Sequence, residues 1–144
     1  MQSTLRKVGN NLWVSDVESA IEKANSFAVI IDCLGDTSYG GTRAKILHVR
    51  PTGSTGHAWT IEDLNKITRV MSKVWPANRV LIHCRRGASR SPVAAAAALL
   101  AAGLAHDPEA ALAKTAAPGL RPATQSVSGL MAWWADRQQG KLGF

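Results

Sequence analysis

Cysteine is scarce in this chain of 144 residues, which carries only Cys33 and Cys84. Two cysteines are too few for a disulfide framework, so the thiols are expected to lie in a reducing compartment. The sequence also lacks an apolar run able to span a membrane, because the alanine-rich stretch Ala94–Leu104 is short and weakly apolar. The first ten residues contain no apolar signal core, so we expect a cytoplasmic protein.

Acidic residues are also few, with 10 Asp and Glu against 17 Lys and Arg and a net charge of +7. The bases are spread along the chain and form no polybasic tail. Such a surface attracts anionic partners by long-range steering, but it does not select among phosphoproteins, phosphoinositides and nucleic acid. Part of the excess is concentrated at Arg85, Arg86 and Arg90.

The length is typical of one domain with one core, so residues 1–144 are predicted to form a single domain. Apolar strand-like runs alternate with helical patterns. This order predicts an α/β fold with a central, mostly parallel sheet of four to five strands flanked by helices. Strands are predicted at Asn11–Val14, Phe27–Leu34, Ala44–Val49 and Arg79–His83. Helices are predicted after Asp16, from Thr60 to the break at Pro76, over Ala88–Leu104, after Asp107 and over Ala123–Gln139.

Local patterns refine the predicted helices. Thr60 and Asp63 have the spacing of a capping box, and Asp107-Pro108 has the order of an N-cap followed by an N1 proline. Helical spacing assigns buried positions in the first and last helices. These are Val17, Ala20, Ile21 and Ala24 in the first, and Val127, Leu130, Met131 and Trp134 in the last.

The most informative stretch is VLIHCRRGASRSP, residues 80–92, in which an apolar strand ends at Cys84 and a helix begins near Arg90. Backbone N–H groups of a loop that opens into a helix N-terminus bind an anion, and the helix dipole adds positive potential. The same potential favours a thiolate at Cys84. An arginine at a helix start is unfavourable unless an anion binds there. Together these groups are suited to attack on a phosphate ester.

His83-Cys84, five intervening residues and Arg90-Ser91 resemble the signature loop of the cysteine-dependent protein tyrosine phosphatase superfamily. The ending GASRSP resembles its dual-specificity branch in particular. The resemblance implies a phosphocysteine intermediate on Cys84, a transition state bound by Arg90, departure of the thiolate assisted by Ser91, and a loop oriented by His83. It implies no metal and no other cofactor. The residues expected to hold phosphate are Arg85, Arg86, Gly87, Ala88, Ser89 and Arg90.

The general acid is the point where the sequence departs from this family. Its members carry an aspartate on the loop before the long helix, whereas the matching loop here, Arg50–Trp59, contains neither Asp nor Glu. Protonation of the leaving group contributes typically 10²–10⁴-fold, so the departure matters. His57 on that loop and Asp36 on the loop after the second predicted strand are the candidates. Asp63 is a third, although its spacing favours a helix cap. Without any protein acid, only substrates with good leaving groups would react well.

The resemblance therefore implies a phosphomonoester hydrolase of the dual-specificity type, acting on phosphotyrosine and on phosphoserine or phosphothreonine. Alternatives with the same loop are an RNA 5′-phosphatase, with nucleic acid the less favoured partner, and a phosphoinositide phosphatase. A phosphate-binding module without turnover is a further alternative, and a sulfurtransferase fits the Arg-Ser ending poorly. We expect a monomer. Cys33 is interpreted as a small buried residue, with a reversible disulfide to Cys84 as the alternative.

Overall fold

The chain forms five strands and five α-helices in a computed structural model that describes residues 4–56 and 58–141. The strands are β1 (Arg6–Gly9), β2 (Leu12–Ser15), β3 (Val29–Asp32), β4 (Lys45–His48) and β5 (Val80–His83). The helices are α1 (Val17–Glu22), α2 (Ile61–Val74), α3 (Arg90–Ala101), α4 (Pro108–Thr115) and α5 (Thr124–Lys141). The sheet has the order β1-β2-β5-β3-β4, and only the β1–β2 pair is antiparallel. The predicted α/β fold with a mostly parallel sheet is confirmed.

Strand β1 is absent from the sequence-based prediction, because its residues RKVG include two bases and no apolar alternation. It forms because a tight turn at Asn11 folds it back onto β2. Asn11 has a φ of 56°, in the left-handed region that asparagine tolerates better than most residues. The resulting hairpin makes β1 the edge of the sheet beside β2.

The two faces of the sheet are covered unequally, because side chains alternate along each strand. Ile30 and Leu81 face a small cluster with Ala20 of α1 and Phe27. The neighbouring strand positions face the opposite way, into a larger core built with α2, α3, α4 and α5. The strand residues in that larger core are Leu12, Val14, Val29, Ile31, Val80 and Ile82.

Helix α3 is buried along most of its length, with Val93 to Leu100 no more than 2% exposed. Its alanines keep the helix thin enough to pack against the sheet and three other helices, and alanine also has the highest helix propensity. This packing fixes the N-terminus of α3 directly after β5. Within the described residues, no helix combines the length and apolar character needed to cross a bilayer.

Two predicted helix starts are confirmed by their hydrogen bonds. The Asp63 N–H donates to the Thr60 hydroxyl (3.1 Å), and the Thr60 N–H donates to the Asp63 carboxylate (3.0 Å), which completes the capping box. At α4, Asp107 accepts from the Ala110 N–H (2.8 Å), and Pro108 occupies the first helical turn.

Two predicted core positions are wrong. Ile21 is 44% exposed, because α1 is only six residues long and ends one residue later. Met131 is 47% exposed. The predicted Trp134 is partly buried and packs against the core, and its neighbour Trp133, which was not predicted, is fully buried. The inward stripe of α5 advances by three residues from Val127 through Leu130 to Trp133, which leaves Met131 on the solvent side.

Candidate active site

Cys84 lies at the carboxyl end of β5 and immediately before the loop that leads into α3. Ligand sites of parallel α/β sheets lie at this edge. The Cys84 side chain is 4% exposed and contributes to a pocket of about 500 Å³. The residues that line the pocket are Leu34, Asp36, Arg50, Cys84, Arg85, Arg86, Ala88, Ser89 and Arg90.

Residues 84–90, the loop after β5 together with the first residue of α3, are held from outside through their carbonyl groups. Three donors from other parts of the chain bond them: Val17 N–H to Arg85 (3.1 Å), Arg6 Nη2 to Gly87 (2.9 Å) and Trp59 Nε1 to Arg90 (3.2 Å). The Ser89 hydroxyl also accepts from the Ala123 N–H (2.8 Å). Carbonyl oxygens bonded outside the pocket favour the inward orientation of N–H groups that an anion site requires.

Gly87 permits the tight course of this loop. Its φ is +72°, and a Cβ added there would lie 2.9 Å from the carbonyl carbon of Ser15 at the end of β2. Both the backbone conformation and the space therefore require glycine at this position.

Cys84 and Ser91 form a buried pair. The distance from Cys84 Sγ to Ser91 Oγ is 3.1 Å, and Ser91 is fully buried in the first turn of α3. A hydroxyl in this position can donate a hydrogen bond to a thiolate. Arg90, the first residue of α3, lines the pocket beside Cys84.

His83 bonds to the loop on one side and to Tyr39 on the other. Its Nδ1 lies 3.3 Å from the Cys84 carbonyl oxygen, and its Nε2 lies 2.5 Å from the Tyr39 hydroxyl. Because a carbonyl only accepts, Nδ1 carries the proton and Nε2 accepts from Tyr39. Burial lowers the pKa of His83, although the charge of Asp32 acts in the opposite direction. The His83 side chain is therefore neutral, and its two ring nitrogens connect the Cys84 carbonyl to Tyr39.

Asp32 is a fully buried carboxylate at the end of β3. It accepts from the Leu34 N–H (3.0 Å), the Thr37 N–H (2.8 Å) and His48 Nδ1 (2.8 Å). Burial would raise the pKa of this carboxyl, but the hydrogen bonds from the Thr37 N–H, His48 and the Thr37 hydroxyl hold the pKa below its ordinary value. Asp32 therefore fixes the start of the loop that carries Asp36 into the pocket.

Mild acid is expected to destabilise the fold. Because the pKa of folded His83 is below the ordinary 6.5, the unfolded chain binds a proton that the folded chain does not as pH falls below 6.5. The free energy of unfolding therefore decreases through this window, and the lowered pKa of Asp32 adds a further loss below about pH 3.9. Urea unfolding at several pH values between about 8 and 5 measures the slope.

The His83→Gln variant should flatten that slope, while His106→Gln at an exposed position should leave it unchanged. An identical slope for His83→Gln and the parent protein would show that His83 does not carry the effect.

The candidate acids occupy different places. Asp36 lines the pocket with Cys84. His57 lies outside the described residues. Asp63 is 7% exposed and binds the Thr52 N–H (2.8 Å) in addition to its capping partners. It therefore ties the loop before α2 to the start of that helix, as the cap interpretation predicts.

Three residues near the site were not identified from the sequence. Arg50 lines the pocket, and Arg6 bonds the Gly87 carbonyl. Asp32 holds the loop after β3 through the Leu34 and Thr37 N–H groups. Asp32 carried a detectable signal, because an acidic residue interrupts an otherwise apolar strand. The positions of Arg6 and Arg50 depend on tertiary contacts that no local pattern encodes.

Both cysteines lie at this edge of the sheet as free, buried thiols. The Cys33 N–H donates to the His83 carbonyl (2.9 Å). Burial raises the pKa of Cys33 well above its ordinary value, with added effects from Cys84 and Asp32. A disulfide between Cys33 and Cys84 stays a prediction.

Known structures share this architecture. Tk-PTP in its active form has a TM-score of 0.73 and 21% identity, over 96% of this chain and 99% of its own. A mouse protein assigned as a dual specificity phosphatase has a TM-score of 0.75 and 17% identity, over 98% and 92%. PTPMT1 has a TM-score of 0.76 and 14% identity, over 97% and 99%. This chain has the fold of the dual-specificity phosphatases.

The resemblance carried by the Cys84–Arg90 loop is thus confirmed at the level of the fold. No protein-family model matches the sequence, and no curated protein sequence matches it significantly. The dual-specificity fold therefore rests on the backbone, and the assignment of individual residues to chemical roles rests on the geometry of this site.

Proposed function

We propose that the protein is a metal-independent phosphomonoester hydrolase with Cys84 as its nucleophile. The observation that carries this proposal is the Cys84 thiol, which lines the same pocket as Arg90 and lies 3.1 Å from the buried Ser91 hydroxyl. Binding alone does not need a thiol at the floor of an anion site, which argues for turnover over a phosphate-binding module.

The proposed reaction has two steps. The Cys84 thiolate attacks phosphorus, the bond to the leaving oxygen breaks, and that oxygen takes a proton from Asp36. Water then attacks phosphorus and gives a proton back to Asp36, while the S–P bond breaks and the Ser91 hydroxyl bonds the departing thiolate. The guanidinium of Arg90 binds two equatorial phosphoryl oxygens in both steps.

We propose phosphorylated proteins as the main substrates, with phosphotyrosine and phosphoserine or phosphothreonine both accepted. Support comes from the fold, which is shared with a mouse protein assigned as a dual specificity phosphatase. The pocket is lined largely by the loop itself, so few other groups discriminate among side chains. Phosphate release from matched phosphotyrosine, phosphoserine and phosphothreonine peptides tests this range.

Phosphoinositides are the second candidate substrates, favoured by the charge of the pocket. Arg50, Arg85 and Arg86 line it in addition to Arg90, with Asp36 as the only acid among the lining residues. PTPMT1, which shares the fold, has been crystallised in complex with PI(5)P. Phosphate release from phosphoinositides, RNA 5′-phosphates and phosphopeptides at two salt concentrations separates the classes. A strongly salt-dependent preference for RNA would favour the nucleic-acid alternative.

Asp36→Asn is expected to slow the enzyme according to the leaving group. Substrates that need protonation, such as phosphoserine peptides, should lose about 10²–10⁴-fold in kcat. Aryl phosphates with acidic leaving groups should lose much less, because their oxygen departs without a proton. Rates across a series of aryl phosphates measure the dependence. The matched variant is His57→Ala: if it shows this pattern and Asp36→Asn does not, the acid is His57.

Hydrolysis of p-nitrophenyl phosphate in EDTA is the experiment that tests the proposed function. We expect phosphate release that does not need metal and that vanadate inhibits competitively. Binding of phosphate without hydrolysis of even this activated ester would instead identify a binding module.

A further inference from the structure

Arg6 of β1 contacts the outer side of residues 84–90, the phosphate-binding loop. This contact depends on the edge strand β1, which the sequence does not predict. Arg6 Nη2 donates to the Gly87 carbonyl (2.9 Å) and to the Thr115 carbonyl (2.9 Å), and its Nη1 donates to the Thr4 carbonyl (3.3 Å). One guanidinium therefore joins the edge of the sheet, the loop and the last residue of α4. The sequence separation of 81 residues from Gly87 makes it a long-range tertiary contact.

The Gly87 carbonyl needs such a donor. Gly87 is buried and pressed against the end of β2, so its carbonyl oxygen has little access to water. A buried carbonyl without a donor is costly, and a loop that turned this oxygen into the pocket would repel a phosphate. Arg6 disfavours the loop conformation with this oxygen in the pocket, because it bonds the Gly87 oxygen from outside the pocket.

The Thr115 contact extends the same support to α3. The Thr115 carbonyl is among the terminal carbonyls of α4 that lack a partner within the helix, and a cation is favourable there. The Thr115 hydroxyl donates to the Pro92 carbonyl in the first turn of α3 (2.8 Å). Arg6 thus links both ends of the loop: Gly87 directly, and the start of α3 through Thr115.

The charge of Arg6 also acts on the site. Burial lowers the pKa of this guanidinium, and the charge of Cys84 acts in the opposite direction. Arg6 Nε is buried without a hydrogen-bond partner in the described structure, so the burial is only partly compensated. Arg6 and Cys84 therefore interact through their charges, and the guanidinium adds positive potential at the nucleophile.

We propose that Arg6 is a positioning residue that holds the phosphate-binding loop in its anion-receiving shape and adds positive potential behind Cys84. This inference rests on the proposed phosphatase function. Arg6 touches neither substrate nor the reacting atoms, and it acts through Gly87, Thr115 and the potential at Cys84.

The test compares Arg6→Met, Arg6→Lys and the matched control Lys7→Met. Lys7 is exposed on the same strand and lies over the Trp13 ring, so its variant removes the same charge without touching the loop. The readouts are the vanadate inhibition constant, kcat and KM for p-nitrophenyl phosphate, and the rate of Cys84 alkylation by iodoacetamide, located by peptide mass spectrometry.

Arg6→Met should weaken vanadate binding about 10- to 100-fold, the range of a lost charge-assisted hydrogen bond, and should slow alkylation of Cys84. Arg6→Lys should recover most of the alkylation rate, because it keeps the charge, but less of the vanadate affinity. Lys7→Met should behave as the parent protein. A purely structural role would change thermal stability and leave these values of the folded protein unchanged.

Parent-like vanadate affinity and alkylation in folded Arg6→Met, beside an active parent protein, would overturn the role of Arg6 alone. A parent protein that neither binds vanadate nor releases phosphate would overturn the proposed function, and the role of Arg6 with it. If Arg6→Met does not fold, Arg6→Gln, which keeps an uncharged donor, takes its place. It should show weakened vanadate binding and slowed alkylation, and parent-like values for both would overturn the proposal.

Discussion

Cys84→Ser should lower kcat for p-nitrophenyl phosphate by roughly 10⁵-fold or more, the order of loss seen when a covalent nucleophile is removed. A serine hydroxyl is not ionised at neutral pH. Among the described residues, the side chains next to Cys84 offer no base for its proton, because Ser91 is a hydroxyl and the neutral His83 is bonded to the Cys84 carbonyl and to Tyr39. Asp36, in the same pocket, is assigned to the leaving group. Steady-state assays with enough enzyme to detect residual turnover measure the loss.

The matched control for this variant is Cys33→Ser. Cys33 is the other buried thiol at the same sheet edge, but it is absent from the residues that line the pocket. We expect Cys33→Ser to keep most of the activity and Cys84→Ser to keep the ability to bind vanadate or phosphate. Substantial turnover by Cys84→Ser would mean that another group attacks phosphorus, and the proposed mechanism would be wrong.

Arg90→Lys should lower kcat/KM by about 10²–10³-fold, the range for removing a donor aimed at transition-state charge. The net charge is unchanged, so long-range attraction of the substrate is retained. A lysine ammonium cannot make the two parallel hydrogen bonds that a guanidinium makes to phosphoryl oxygens. Most of the loss should therefore fall on kcat and the smaller part on KM, which steady-state kinetics separate.

Arg69→Lys on the exposed face of α2 is the control for this conservative exchange, and its kinetics should match those of the parent protein. A loss confined to KM in Arg90→Lys would indicate that Arg90 binds substrate and transition state equally well. That result would contradict its role as a transition-state clamp.

The centre of the sheet and the loop that follows it could be predicted from the sequence because their signals are local. Strand β5 is a β-branched apolar run that ends at His83, and Thr60 with Asp63 forms the predicted capping box. The order of Cys84, Gly87 and Arg90 places a thiol, a turn and a guanidinium within one short segment. Such features need no knowledge of distant parts of the chain.

The surroundings of the loop could not be predicted, because distant segments supply them. Strand β1 is polar and forms through its hairpin with β2, so no sequence pattern predicts the contact between Arg6 and Gly87. Arg50 lines the pocket because of the backbone path of the loop after β4, and hydrophobic periodicity does not predict the path of a loop. The full burial of Trp133 has a similar origin, because the packing of α5 buries this tryptophan completely and leaves Trp134 partly buried against the core.

Acid-quenched mass spectrometry during turnover of p-nitrophenyl phosphate tests the central claim most directly, since it asks whether the sulfur of Cys84 becomes phosphorylated. We predict a peptide containing Cys84 that gains the mass of one phosphoryl group, that accumulates more when hydrolysis is slowed, and that is absent from Cys84→Ser. Sustained phosphate release by the parent protein with the phosphoryl group on another residue, or with none trapped under any quench condition, would contradict the account.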